Sequence, residues 1–398
     1  MRKICVVVQR YGDNILGGSE SACRSFAQRL KEYFEVEVLT TKCTDYVTWE
    51  NDIDADEEYV DGILVRRWAV EKRRNLSDEL NERALSPLAT VETGKEWVRE
   101  QGPLCPGLID YVREHRDDYD VFMLMTYLYY TTVFSIPLVG DKAIIVPTAH
   151  DEACIHQPVY KGVLEGAAGW FAITPEELAF LQRTFDSEGI LVDVGGVGCV
   201  VAPHGSAEEF REKFGLGDAP YLVYAGRISS AKGCDELFHY FLNYKLRHPA
   251  SPLKLVLMGK ADISIPNHKD IVSLGFVDEA DKYAGMEGAV ALVQSSPFES
   301  LSMVVLEALR VNTPVLVNGR CDVLKGHCLR SNAGLFYTNF AEFERMVDFY
   351  MTHEEERVAM GQAGPGYVDT YYRWSTIMDK LERMLNAVAD RSAEANRQ

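Results

Sequence analysis

Short apolar runs alternating with helical patterns constrain this chain more than any other feature, and the alternation occurs twice. The first series of runs covers residues 3–9, 36–40, 63–68, 121–125, 143–146 and 170–173. The second covers 222–225, 253–259, 271–274, 290–294 and 314–318. Runs that are apolar nearly throughout suit strands covered by helices on both faces. Strand and helix in repeated succession predict parallel sheets, so the expected class is α/β with two Rossmann-like, doubly wound domains. A length of 398 residues exceeds what one core ordinarily serves and agrees with two. The expected division is 1–203, 204–371 and a terminal helical region 372–398 whose polar end frays from Asp390, with Pro203-His204-Gly205-Ser206 as the crossover.

Residues 121–140 carry no charge and are nominally long enough to span a membrane. They also hold Pro137, several hydroxyl side chains and three tyrosines. A buried strand over 121–125, a covering helix over 127–138 and the next strand at 143–146 account for them better. Met1-Arg2-Lys3 leads into only five apolar residues, too few for a secretory signal. The nine cysteines include no C-x-x-C, so neither a zinc site nor a disulfide framework is indicated and a reducing cytoplasm is expected. Apolar residues at 47% and charged residues at 25% are ordinary for a globular protein. The net charge of -19 argues against general nucleic-acid binding by repulsion, while leaving room for one local basic pocket.

Two segments carry chemistry. Phe298-Glu299-Ser300-Leu301-Ser302-Met303 opens a helix that continues through Glu307-Ala308-Leu309. Glu299 falls just before the helix and Glu307 about one turn inside it. Ser300, Leu301 and Ser302 lie where backbone N–H groups are unpaired and the helix dipole is positive, which suits an anion. An acid one turn in, leaning back toward that end, could accept bonds from sugar hydroxyls beside a bound phosphate. Taken alone, the pair also fits a surface helix with two solvated acids. Upstream, Tyr221-Leu222-Val223-Tyr224-Ala225-Gly226-Arg227 reads as a strand and turn, followed by Lys232-Gly233 and a helix. Arg227 and Lys232 then stand at a strand's carboxyl end, where open α/β sheets bind ligands. Arginine offers a planar fork to phosphate oxygens and lysine a mobile point charge. Joined to the glutamates, the basic pair suggests a diphosphate site flanked by hydroxyl acceptors.

With these residues the sequence resembles the retaining group-1 (family 4) glycosyltransferases, which have the GT-B fold of two Rossmann-like domains facing across a cleft. The resemblance rests on Gly226-Arg227 with Lys232-Gly233, Gly275-Phe276-Val277, Ser295 to Ser300, Glu307-Ala308-Leu309 and Thr313-Pro314-Val315. At the amino end, Leu16-Gly17-Gly18-Ser19-Glu20 resembles the family's glycine loop. It implies transfer of a sugar from a nucleotide-sugar donor to a sugar, lipid-linked or small-molecule acceptor. Glu307 would hold ribose hydroxyls, and Glu299 the donor sugar with the N–H groups of Ser300, Leu301 and Ser302. Arg227 and Lys232 would stabilise the departing diphosphate, with no metal or other cofactor expected. Phe276 would border the nucleobase, Gly17 and Gly18 would approach the donor, and His150 would match a donor-contacting histidine. The amino-terminal domain would serve the acceptor, and the terminal helix would return to it. The resemblance also implies a cytoplasmic enzyme of polysaccharide, glycolipid or glycoside synthesis, with peripheral contact at the inner face of the membrane open.

Other motifs fall away. Gly195-Gly196-Val197-Gly198 lacks the further glycine of a dinucleotide fingerprint. Asp52, Asp54 and Asp56 imitate a calcium loop, but Glu57 holds the glycine position and Ile63 the last acidic one, leaving a solvated loop. Arg66-Arg67 and Lys72-Arg73-Arg74 read as a solvated basic face, with an anionic acceptor or a membrane surface as the alternative. His204-Gly205 stands where the family has asparagine and glycine, and Lys260 replaces its second glycine after residues 253–258. A sugar-nucleotide epimerase or phosphorylase of similar fold, the latter lacking a recognisable pyridoxal-anchoring lysine segment, and a non-catalytic binding subunit are the rival readings.

Overall fold

A computed structural model describes residues 1–15, 17–395 and 397. The chain forms two compact units, residues 1–196 with 375–398, and residues 197–374.

The first unit is built on β1 (Lys3–Val7), β2 (Glu35–Thr41), β3 (Glu57–Val60), β4 (Ile63–Trp68), β5 (Val121–Met125), β6 (Ala143–Val146), β7 (Gly169–Ala172) and β8 (Leu191–Val194). Their order is β3-β4-β2-β1-β5-β6-β7-β8. Every described pairing is parallel except β3 with β4. Val6 pairs with Val38 on one side and Met123 on the other, so β1 lies deep in the sheet. The uncharged stretch 121–140 resolves into β5 and the helix Tyr130–Val139, both largely buried. Among the described residues no helix is long and apolar enough to cross a membrane.

Asp52, Asp54 and Asp56 are exposed and outside any strand, as expected of a solvated loop, but the acids that follow differ: Glu57–Val60 forms β3. Asp61 and Gly62 take left-handed backbone angles and turn β3 back on β4, the geometry of a tight hairpin. Glu57 pairs with Arg66 and Glu58 with Arg67 across the two strands. Lys72 pairs with Glu100 and Arg73 with Glu50, while Arg74 donates to the Gln101 carbonyl at 3.2 Å, so the run is not an open basic face. The helix Trp374–Ala395 completes this unit through a stripe of buried Ile377, Leu381, Leu385 and Val388. It does not fray at Asp390, because that carboxylate accepts from Arg2 at 2.5 Å and Ser392 beyond it is buried.

The second unit contains β9 (Tyr221–Ala225), β10 (Lys254–Met258), β11 (Ile271–Gly275), β12 (Ala291–Gln294), β13 (Val315–Asn318) and β14 (Gly334–Tyr337). The order β11-β10-β9-β12-β13-β14 places the unit's first strand between its second and fourth. All described neighbours are parallel. That is the doubly wound order with its switch point between β9 and β12. Leu222, Tyr224, Leu255 and Leu257 pack with Leu237 and Phe241 of the helix Cys234–Arg247. Emptying one aromatic position of such a core costs about 3–5 kcal/mol.

Candidate functional site

In a parallel sheet every strand sends its following loop to the same edge, and at a switch point two neighbouring loops diverge to leave a crevice. In the second unit these loops follow β9 and β12. The first carries Gly226, Arg227 and Lys232, and the second carries Glu299, Ser300, Leu301 and Ser302. The structure joins them directly: Lys232 Nζ donates to Glu299 Oε1 at 2.7 Å. Below that contact Ser295 Oγ donates to the Lys232 carbonyl at 2.9 Å, and Asn318 Nδ2 to the Ser295 carbonyl at 3.1 Å. Gly233 permits the approach, since its backbone is left-handed (φ 69°) and a Cβ there would sit 2.3 Å from the Ser295 oxygen.

The neighbouring loops meet as tightly. A Cβ on Gly259 would lie 1.9 Å from the Gly226 oxygen. Lys260, the departure from the family pattern, uses its carbonyl to accept the Ile228 N–H at 2.9 Å and so extends the β9–β10 pairing. Arg227 is half exposed, its Nε 3.8 Å from Asp262 Oδ2, with its carbonyl held by the Tyr224 hydroxyl at 2.7 Å. Phe276 follows β11 and is 82% exposed. His204 stands 3.5 Å from Glu287 and edge-on to Tyr283.

Glu307 lies inside the helix Met303–Arg310 and is held by a residue that sequence reading missed. Lys282 Nζ donates to Glu307 Oε1 at 2.9 Å, with the Tyr283 hydroxyl at 3.5 Å. Burial pushes the Glu307 pKa up, while Lys282 opposes the rise. Lys282 belongs to the helix Glu279–Glu287, and no spacing rule links residue 282 to residue 307. The helix bearing Glu307 starts at Ser302, which has left-handed backbone (φ 66°) and makes no side-chain cap. Its first-turn N–H groups therefore lack the usual hydroxyl partner. Leu301 is buried, and its carbonyl accepts from His327 Nε2 at 2.7 Å.

In the first unit Gly17 precedes the helix Gly18–Leu30; Leu16 lies outside the described residues. Gly17, in extended backbone, rests on a buried ion pair, also missed, in which Arg10 Nη2 meets Glu20 Oε1 at 2.5 Å and Gln9 Nε2 donates to the same oxygen at 2.9 Å. His150 follows β6, with Nε2 3.4 Å from Glu152 Oε1, which also accepts the Tyr127 hydroxyl at 2.7 Å. Asp151 instead pairs with His156 at 2.7 Å. Thr126 and Thr148, just past β5 and β6, have left-handed backbone (φ 64° and 51°), a strained state for β-branched residues that clusters at functional sites. Buried Glu177 accepts the Ala149 and Ile173 N–H groups; burial pushes its pKa up to about 7 against those bonds. Among the described residues no group of three or more His, Cys, Asp or Glu is placed to hold a metal ion.

Residues 206–366 match the family of glycosyl transferases group 1. Sucrose-phosphate synthase from Thermosynechococcus elongatus has a similar structure, with a TM-score of 0.69 at 16% identity over 97% of this chain and 100% of that one. Anabaena HepE in complex with UDP and glucose matches with a TM-score of 0.69 at 14% identity, over 97% and 100% of the two chains. WaaG, a glycosyltransferase involved in lipopolysaccharide biosynthesis, matches with a TM-score of 0.64 at 14% identity, over 96% and 99%. At such identities the likeness establishes the fold. No curated protein matches the chain.

Proposed function

We propose that this chain, a group 1 glycosyltransferase of the GT-B fold, moves a sugar from a nucleotide-diphosphate donor to an acceptor hydroxyl with retention at the anomeric carbon. The Lys232–Glu299 contact at the switch point between β9 and β12 carries the reading. There a cation able to neutralise a leaving diphosphate touches an acid able to accept sugar hydroxyls. The uncapped start of the helix Met303–Arg310 adds N–H donors and a positive dipole end. Arg227, half exposed nearby in sequence, supplies the second charge on the phosphates. Glu307, held by Lys282, takes the ribose hydroxyls, and Phe276 borders the base.

In the chemical step the bond from the anomeric carbon to the diphosphate oxygen breaks and a bond to the acceptor oxygen forms on the same face. The acceptor's proton passes to the departing phosphate. Arg227 and Lys232 stabilise the charge that builds there, the task a metal performs in other transferases, so the reaction is proposed to run without one. The unit formed by residues 1–196 and 375–398 is assigned the acceptor, and Gly17, Gly18 and His150 are assigned to the donor on the family resemblance alone. Cytoplasmic synthesis of a polysaccharide, glycolipid or glycoside is the setting these properties suit, with peripheral membrane contact as an option.

The test is incubation with UDP-, GDP-, ADP- and dTDP-sugars, with and without acceptors and with EDTA. Nucleotide release, a product of unchanged anomeric configuration and indifference to EDTA are expected. Altered sugar without release would make it an epimerase, and binding without turnover a scaffold. Loss of activity in EDTA, restored by a divalent ion, would remove the metal-free mechanism.

A further inference from the structure

The loop after β12 bears the groups proposed to meet the donor's sugar and diphosphate, yet its helix starts without a side-chain cap and with Ser302 in a left-handed conformation (φ 66°). Something else must hold that backbone. His327, on the helix Asp322–Ser331, is fully buried, with both ring nitrogens engaged. Nε2 lies 2.7 Å from the Leu301 carbonyl and Nδ1 2.9 Å from the Tyr367 hydroxyl. A carbonyl oxygen only accepts, so Nε2 carries the proton. In the neutral ring Nδ1 then accepts from Tyr367, whose oxygen in turn accepts from Arg330 Nε at 3.3 Å. The donors run in one direction from Arg330 through Tyr367 and His327 to the loop. Burial holds the histidine pKa down to about 4, which keeps the ring neutral at ordinary pH, and the two hydrogen bonds fix the tautomer.

The Leu301 carbonyl shares one peptide plane with the Ser302 N–H, and in a trans peptide the two point in opposite directions. Fixing the carbonyl on a buried ring therefore aims that N–H away from it. We propose that His327, with its tautomer set by Tyr367, is a positioning residue that holds the 299–302 loop in the conformation that receives the sugar-diphosphate end of the donor. This rests on the functional reading above, and no contact of His327 with the donor is implied.

The experiment compares His327→Phe, His327→Gln and Tyr367→Phe with the wild type. Calorimetry uses the sugar nucleotide that the wild type turns over and the corresponding nucleoside monophosphate. Outer-shell groups that orient metal ligands typically matter by about 10–100-fold, and the same range is expected of a ring that orients this loop. Expected for His327→Phe is a loss of about that size in sugar-nucleotide affinity and kcat/KM, with monophosphate binding, which relies on Glu307, within two-fold. Glutamine, whose amide N–H can reach the same carbonyl, should recover most of the loss. Should His327→Phe not fold, Tyr367→Phe decides, with a several-fold loss confined to the sugar nucleotide. Wild-type discrimination in whichever variant decides, or equal weakening of both ligands with no rescue by glutamine, overturns the assignment. A wild type that neither binds nor turns over any sugar nucleotide overturns the functional reading instead, and this proposal with it.

Discussion

The Glu307–Lys282 pair shows how a single neighbour tunes a largely buried acid. Burial raises the carboxyl pKa and Lys282, 2.9 Å away, restrains the rise. If the ionised acid accepts ribose hydroxyl bonds, donor kcat/KM falls as pH drops through that pKa. Lys282→Ala should move the acid limb of the pH profile upward; superimposable limbs would separate the pair from donor binding. Lys232→Ala should lower turnover by about 100-fold or more with an unchanged circular dichroism spectrum, and Glu307→Ala should lower it greatly as well. Wild-type rates in both would refute the site. His327 makes a stability prediction with a definite sign. Its pKa is about 4 in the fold against an ordinary 6.5, so the unfolded chain binds the proton more readily. The contribution is complete above pH 6.5 and is lost as pH falls through 4, in all roughly 3 kcal/mol. Urea unfolding of His327→Gln should show a flatter dependence over that window, and an identical slope would mean the ring is not held neutral.

Elements differ in how much of themselves the sequence displays. Strands such as β5 and β6 are apolar throughout because both faces are covered, and they were legible. β3 was not: its Glu57-Glu58 pair reads as solvated until Arg66 and Arg67 lie opposite, and the pairing is set by the turn at Asp61-Gly62. β8 and β14 were missed because edge strands such as Leu191–Val194 and Gly334–Tyr337 stay partly open to solvent and lack a long apolar run. The site divides similarly. Arg227, Lys232, Glu299 and Glu307 announce themselves by position after strands or on a helix. Lys282, His327 and Arg10 act through contacts between distant segments, which spacing does not encode. Gly259 sits between these cases, visible as a turn glycine but with a tolerance fixed by the fold. Its φ of 143° and a Cβ position 1.9 Å from the Gly226 oxygen leave no room for a side chain. Gly259→Ala should cost about 3 kcal/mol or more and weaken the proposed donor site, since the two loops must part. A melting temperature within two degrees of wild type would show that they part freely.

For the whole molecule, the chain passes between its two units twice, at 196/197 and again at 374/375. The second passage returns the terminal helix to the unit that holds β1 to β8. There Ile377, Leu381, Leu385 and Val388 are buried, Lys380 donates to the Val194 carbonyl at 2.5 Å, and Met384 fills the space beside Gly169. Burying four aliphatic side chains at about 1.5–3 kcal/mol each gives roughly 6–12 kcal/mol. That rivals the whole stability of an ordinary domain, about 5–15 kcal/mol. A chain ending at residue 374 should therefore fail selectively. The first unit should become labile to protease and exchange its amides rapidly, while β9 to β14, whose core contains none of those side chains, remains protected. Limited proteolysis with mass mapping would then leave a fragment close to residues 197–374. Equal protection of both units would show that the terminal helix adds little, and that the first sheet is stable without the segment that covers it.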